Sequence, residues 1–150
     1  MTHKIKMIGL DLDGTLLTDK KELTVRTREV LAKAIRSGIV VLVATGRPWM
    51  GVPEELREFP GMNYALTSNG ARIIDTRTGN VIEEHLLSVK SAKKALEICR
   101  KYDTLQEVYF DGQGYAEVEK MEVVHRYHHS VHMQEYVRKP VFRWMIFLNW

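Results

Sequence analysis

The stretch Ile39-Val40-Val41-Leu42-Val43-Ala44 is the longest uninterrupted apolar run in the 150-residue chain. Six residues cannot span a bilayer, and a run rich in β-branched side chains favours a strand over a helix. Continuous apolar strands of this kind are covered on both faces, as in a parallel sheet under helices. The flanking pattern agrees. From Thr24 to Ser37, Val30, Leu31, Ala34 and Ile35 recur at helical spacing, with Thr24 as N-cap and Gly38 just past the end. Ile5–Leu10 and Tyr64–Thr67 are two further short apolar runs. Thr45-Gly46-Arg47-Pro48 closes the middle run, and Pro48 suits the start of a helix reaching about Glu58. Strand, helix, strand, helix, strand with short connections predicts an open α/β sheet with the three strands as parallel neighbours.

The second half has a different pattern. Ala71–Ile74 and Asn80–Glu84 flank Thr76-Arg77-Thr78-Gly79 as a hairpin. Ser91–Tyr102 reads as an amphipathic helix with Ala92, Ala95, Leu96 and Cys99 inward. Val108–Phe110 and Tyr115–Val118 form a second hairpin around Asp111-Gly112-Gln113-Gly114, Val124–Val137 a helix and Val141–Leu148 a last strand. This is α+β rather than alternating, and the expected domains are 1–83 and 84–150.

Partners are constrained by composition. Lys plus Arg number 22 against 19 Asp plus Glu, a net charge of +3, and the basic residues are scattered without interleaved aromatics, so no nucleic-acid partner is expected. No membrane association is expected either. The N-terminus Met-Thr-His-Lys-Ile-Lys is no secretory signal, and a single cysteine, Cys99, suits a reducing compartment. The expected location is cytoplasmic.

The chemistry concentrates after the first strand. Asp11-Leu12-Asp13-Gly14-Thr15-Leu16 stands at its C-terminal end, the edge where open α/β sheets bind ligands. A turn beginning at Asp13, permitted by Gly14, brings both carboxylates to that crevice. One carboxylate can attack a phosphoryl group to form an aspartyl-phosphate. The other can protonate the leaving oxygen and then deprotonate the attacking water. Such a pair also suits Mg²⁺, which is held by one or two carboxylates plus substrate phosphate. Alone, Asp-x-Asp reads equally well as a strand-end turn with two solvated acids. Support comes from Thr45-Gly46-Arg47 at the corresponding end of the next strand. A hydroxyl and an unobstructed Gly46 amide grip phosphate oxygens, and Arg47 supplies a cation for a phosphate or an acidic partner.

With Asp11-Leu-Asp13-Gly-Thr-Leu-Leu17, Val43-Ala-Thr45-Gly46-Arg47-Pro48 and Ser68-Asn69-Gly70-Ala71 in place, the chain resembles the haloacid dehalogenase superfamily. The likeness is to the Cof-type class IIB phosphatases, which act mostly on sugar phosphates and similar small phosphoesters. The resemblance implies a Rossmann-like parallel core with an inserted α+β cap after the third strand. It implies Asp11 as nucleophile and Asp13 as general acid/base. Mg²⁺ would be held by the Asp11 carboxylate and the Asp13 backbone carbonyl, with Thr45, Gly46, Arg47 and Asn69 on the substrate side. The family completes its site after the cap with a Lys and a Gly-Asp-x-x-x-Asp-type loop. Here the last aspartate is Asp111, so the expectation is a C-terminally truncated member with an incomplete cap. The expected function is hydrolysis of a small phosphorylated metabolite; a phosphomutase, or an incapable fragment that at most binds phosphate, are the alternatives.

Three further features are weaker. His125, His128, His129 and His132 fall on one face of the expected helix, a spacing that suits a polar or substrate-facing surface better than a metal site without further partners. Cys99 reads as a small core residue. The apolar terminus from Phe142 to Trp150, with an open edge on Ile5–Leu10, predicts self-association.

Overall fold

The computed structural model describes residues 4–110, 113–117, 120, 122–127, 134 and 142–145. The chain divides into two compact units, Met1–His85 and Leu86–Trp150. The first is an α/β unit built on five strands: β1 Met7–Leu10, β2 Val40–Ala44, β3 Tyr64–Thr67, β4 Arg72–Asp75 and β5 Val81–Glu84, in that spatial order. β1, β2 and β3 run parallel, with Leu10 opposite Val43 and Ala44 opposite Leu66. β4 and β5 continue the sheet antiparallel as a hairpin. β1 therefore lies at one side of the parallel set.

Local chemistry explains the helices. α1, Val25–Arg36, starts where the Thr24 hydroxyl accepts the Thr27 N–H. It ends in a Schellman turn: Gly38 N–H donates to Ile35 C=O and Ile39 N–H to Ala34 C=O, with Gly38 at φ +79°. The single helix expected from Pro48 to Glu58 is instead two pieces, a 3₁₀ turn Trp49–Gly51 and α2, Glu54–Arg57. Pro53 is the reason, since it holds Val52 extended at φ −72°, ψ 133° and cannot carry the helix through.

Burial corrects one further expectation. β2 is not equally buried on its two faces. Val41 and Val43 are 1% exposed and join Leu31 of α1 and Leu56 of α2 in one core cluster, whereas Val40, Leu42 and Ala44 are half-buried. Both helices contribute to the same side, and an ion pair from Arg28 to Glu55 at 2.6 Å links them. An apolar run licenses burial on both faces, but only the covering elements supply it.

The second unit holds α3, Val89–Cys99, and a small sheet of β6 Glu107–Phe110, β7 Gln113–Glu117 and β8 Phe142–Met145. β6 and β7 are antiparallel; β7 and β8 are parallel. α3 begins two residues before its expected start at Ser91, because the Ser88 hydroxyl accepts the Ser91 N–H and caps it there. Of the four residues expected inward, Ala92 and Leu96 are half-buried while Ala95 and Cys99 are exposed. An amphipathic pattern selects which side of a helix can be buried, not how fully. Of the expected 124–137 helix, the described residues show a 3₁₀ turn, Val124–Arg126, with His125 exposed, and Gln134 in helical conformation. His128, His129 and His132, and Asp111 and Gly112 of the expected turn, lie outside the described residues. Gln113 and Gly114, expected in that turn, instead belong to β7 and pair with Phe110 and Tyr109, the strand ladder reaching further than the glycines suggest. Among the described residues, no helix is long and apolar enough to cross a membrane.

Candidate active site

Asp11 follows β1 with an extended backbone, φ −71° and ψ 152°. Beyond it, Leu12–Leu16 forms one wide helical turn closed by Leu16 N–H on Asp11 C=O and Leu17 N–H on Leu12 C=O. Hydrogen bonds that span five residues are rare and recur at functional sites. The turn is broken inside, with Asp13 at ψ 118° and Gly14 at φ +75°. A Cβ on Gly14 would meet nothing within 4 Å, so the dihedral rather than crowding calls for glycine. Leu12 is completely buried between two exposed acids. The buried side chain turns into the core and leaves Asp11 and Asp13 at the surface.

The β1–β2 register carries Asp11 to the level of Ala44, and Thr45 stands at the same end of the sheet. Thr45 is 6% exposed; its N–H donates to Leu66 C=O and its hydroxyl accepts the Arg47 N–H at 3.2 Å. Arg47 reaches across to Asp13, with Nε on Oδ2 and Nη2 on Oδ1, both at 2.8 Å, while Nη1 donates to Gly51 C=O. The acidic partner anticipated for Arg47 is therefore Asp13 itself. Asp11 accepts the Thr15 hydroxyl at 3.3 Å. Asn69 meets Gly46, and the turn it belongs to is bonded to Thr45 and Arg47 through backbone.

Sequence reasoning missed Lys21. Its Nζ lies 2.7 Å from Asp13 Oδ1, so two cations share one carboxylate oxygen. A tight turn delivers it: Lys21 N–H donates to Thr18 C=O, and Lys21 sits at φ +63°, unusual for a non-glycine residue. Eight residues separate Lys21 from Asp13, with no motif to mark the pairing; positive φ is visible only in the backbone.

The hydrogen bonds from Arg47, then those from Lys21, hold the Asp13 carboxyl at about 2 against the ordinary 3.8, outweighing the opposing effect of burial. The ion pair therefore stabilises the fold fully above pH 4 and loses that contribution as pH falls from about 3.8 to 2. Screening of these half-exposed groups reduces it to about 1 kcal/mol. Carboxyl ¹³C titration is expected to show Asp13 still ionised at pH 3 and, in Arg47→Met, titrating at higher pH though still below an ordinary aspartate, because Lys21 remains beside it. An unshifted midpoint in the unaltered chain would remove the ion pair.

Among the described residues, no group of three or more His, Cys, Asp or Glu could hold a metal. The available oxygens are the exposed Asp11 carboxylate and the Asp13 carbonyl, whose peptide leaves the helical direction at ψ 118°. That set fits Mg²⁺ in the manner in which Mg²⁺ is usually held, by one or two protein oxygens, water and substrate phosphate.

A family model described as haloacid dehalogenase-like hydrolase matches residues 8–143. The chain belongs to this family. Among curated relatives, it is 30% identical over 100 residues to the 5-amino-6-(5-phospho-D-ribitylamino)uracil phosphatase YcsE of Bacillus subtilis, covering 67% of this chain and 40% of that protein. It is 29% identical over 141 residues to the HMP-PP phosphatase of Serratia proteamaculans, covering 91% and 51%. A crystal structure of a haloacid dehalogenase-like hydrolase from Bacteroides thetaiotaomicron superposes with a TM-score of 0.72 at 29% identity, over 95% of this chain and 52% of that one. The chain thus spans about half or less of the length of these relatives.

Proposed function

We propose that this chain carries the nucleophile-bearing part of a Mg²⁺-dependent phosphatase acting on small phosphorylated metabolites, sugar phosphates foremost, through an aspartyl-phosphate on Asp11. The observation that carries the reading is the shared sheet end. Asp11, the Asp13–Arg47 pair and the Thr45-Gly46 turn stand together where β1 and β2 finish. Relatives named as phosphatases of small phosphorylated compounds support the substrate class.

An Asp11 carboxylate oxygen attacks phosphorus, the ester P–O bond breaks, and the leaving oxygen takes a proton from Asp13. Water then gives a proton to the Asp13 carboxylate and attacks the acyl phosphate, releasing inorganic phosphate and restoring Asp11. The Thr45 hydroxyl and the Gly46 amide hold phosphate oxygens. Asp11 and the Asp13 carbonyl would hold Mg²⁺, whose charge offsets that of the phosphoryl oxygens when it is bound. Held by Arg47 and Lys21, Asp13 is in the form that accepts the proton from water. To donate one first, it must be released, and a substrate phosphate competing for the two cations provides the means. The region beyond about Glu84 is assigned as the cap that chooses the substrate.

Mg²⁺-dependent release of p-nitrophenol from p-nitrophenyl phosphate, by the chain extended to the length of its relatives, tests the reading; no release above background at 10 mM Mg²⁺ (roughly saturating for a millimolar site) would count against it. With two protein oxygens, Mg²⁺ affinity is expected in the millimolar range or weaker, and isothermal titration giving micromolar binding would require a further ligand. Self-association is part of the proposal. β1 ends the sheet order among the described residues, Ile5 and Met7 are 64% and 59% exposed, and a groove lined by Leu10, Leu16, Arg26, Thr27, Val30 and Leu31 opens at the end of β1. Sedimentation is expected to show species larger than one chain, and a compact monomer at all concentrations would exclude it.

A further inference from the structure

We infer that Asn69 is a positioning residue, its side chain lying against the bare Cα of Gly46 and holding the Thr45–Arg47 turn in shape. The inference rests on the phosphatase reading for its purpose, though not for its geometry. Three consecutive residues, Ser68, Asn69 and Gly70, lie in the left-handed region at φ +52°, +56° and +89°. Asparagine tolerates that region better than most residues, but serine gains nothing from it, and such strain persists only where its surroundings enforce it. What enforces it is the neighbouring turn: Ser68 N–H donates to Arg47 C=O at 3.0 Å and Asn69 N–H to Thr45 C=O at 3.2 Å. The end of β3 is thereby stitched to the end of β2 across the residues proposed to receive phosphate.

The side chain completes the stitch. A Cβ built on Gly46 would lie 2.8 Å from Asn69 Oδ1 and 3.4 Å from its Cγ, so any other residue at 46 would push Asn69 aside. Gly46 is not left-handed. Its glycine is explained by this close approach, not by its own backbone. The consequence passes along the chain, because the Arg47 whose carbonyl is held from Ser68 is also the residue whose guanidinium grips Asp13.

Native-state hydrogen exchange at residues 68 and 69 measures the stitch, since opening it frees both amides. Gly46→Ala is expected to speed both exchanges at least tenfold by displacing the Asn69 side chain. In an Asn69→Gly background the same substitution is expected to change them less than twofold, because the displaced group is gone. Asn69→Gly alone should speed them to a similar degree, whereas Asn69→Asp keeps the shape and should hold protection within a factor of two of the unaltered chain. It should also weaken the shift of the Gly46 amide on adding inorganic phosphate, through charge. Equal effects of Gly46→Ala in both backgrounds, or loss of protection in Asn69→Asp, would overturn the inference. If phosphate shifts no amide even in the unaltered chain, the phosphatase reading suffers, while the exchange cycle still decides the role of Asn69.

Discussion

Asp11→Asn is expected, on the proposed mechanism and in the chain at its relatives' length, to lower p-nitrophenyl phosphate hydrolysis on the order of a thousandfold or more with KM little changed, because an amide cannot replace a carboxylate as nucleophile. The fold should survive. Asp11 is exposed, and its one side-chain hydrogen bond identified, from the Thr15 hydroxyl at 3.3 Å, can be accepted by an asparagine oxygen. A circular-dichroism melt within roughly 2 °C of the unaltered chain is the accompanying control, a shift that corresponds to under about 0.5 kcal/mol in a small domain. Undiminished hydrolysis by the variant would transfer the nucleophile elsewhere. Asp13→Asn separates the two carboxylates further. It removes proton transfer but leaves the attacking group, so a smaller loss, about a hundredfold or more, is expected.

Leu12→Ala should have the largest effect on stability of any change at the site without altering a charged group. Leu12 is completely buried in the cluster that includes Leu17, Val41, Val43 and Leu56. Truncating a buried leucine costs about 2–5 kcal/mol in lost burial and residual cavity. In a small unit such as this, the melting temperature should fall by roughly 10 °C or more. The substitution also removes the anchor that keeps Asp11 and Asp13 outward on either side of it, so hydrolysis should fall even below the melt. A melting temperature unchanged within error would show that the motif is not pinned from below.

Periodicity and short motifs made the first unit legible. Thr24, Gly38 and the alternation of apolar runs specify α1 and the three parallel strands because caps and strand propensity act over a few residues. The same locality explains why Asp11, Asp13, Thr45, Gly46 and Arg47 could be nominated, each belonging to a strand-end turn with its own signature, whereas Asn69 was nominated through the family resemblance. It also explains the errors. Pro53 divides a helix that Pro48 appropriately opens, and α3 is capped by Ser88 rather than started at Ser91, both matters of one turn.

What the chain's order alone determined was the set of chemical groups and the sheet end to which they belong, since right-handed strand–helix–strand connections leave few alternatives. Tertiary structure decided how those groups meet. Arg47 turns to Asp13, Lys21 joins it from a strained turn, and Asn69 rests on Gly46. It also decided that the helices cover one face of β2 and that Cys99 stays exposed. Burial and pairing between distant residues depend on which surfaces are brought together, and no local propensity encodes the distance between Lys21 and a carboxylate eight residues away.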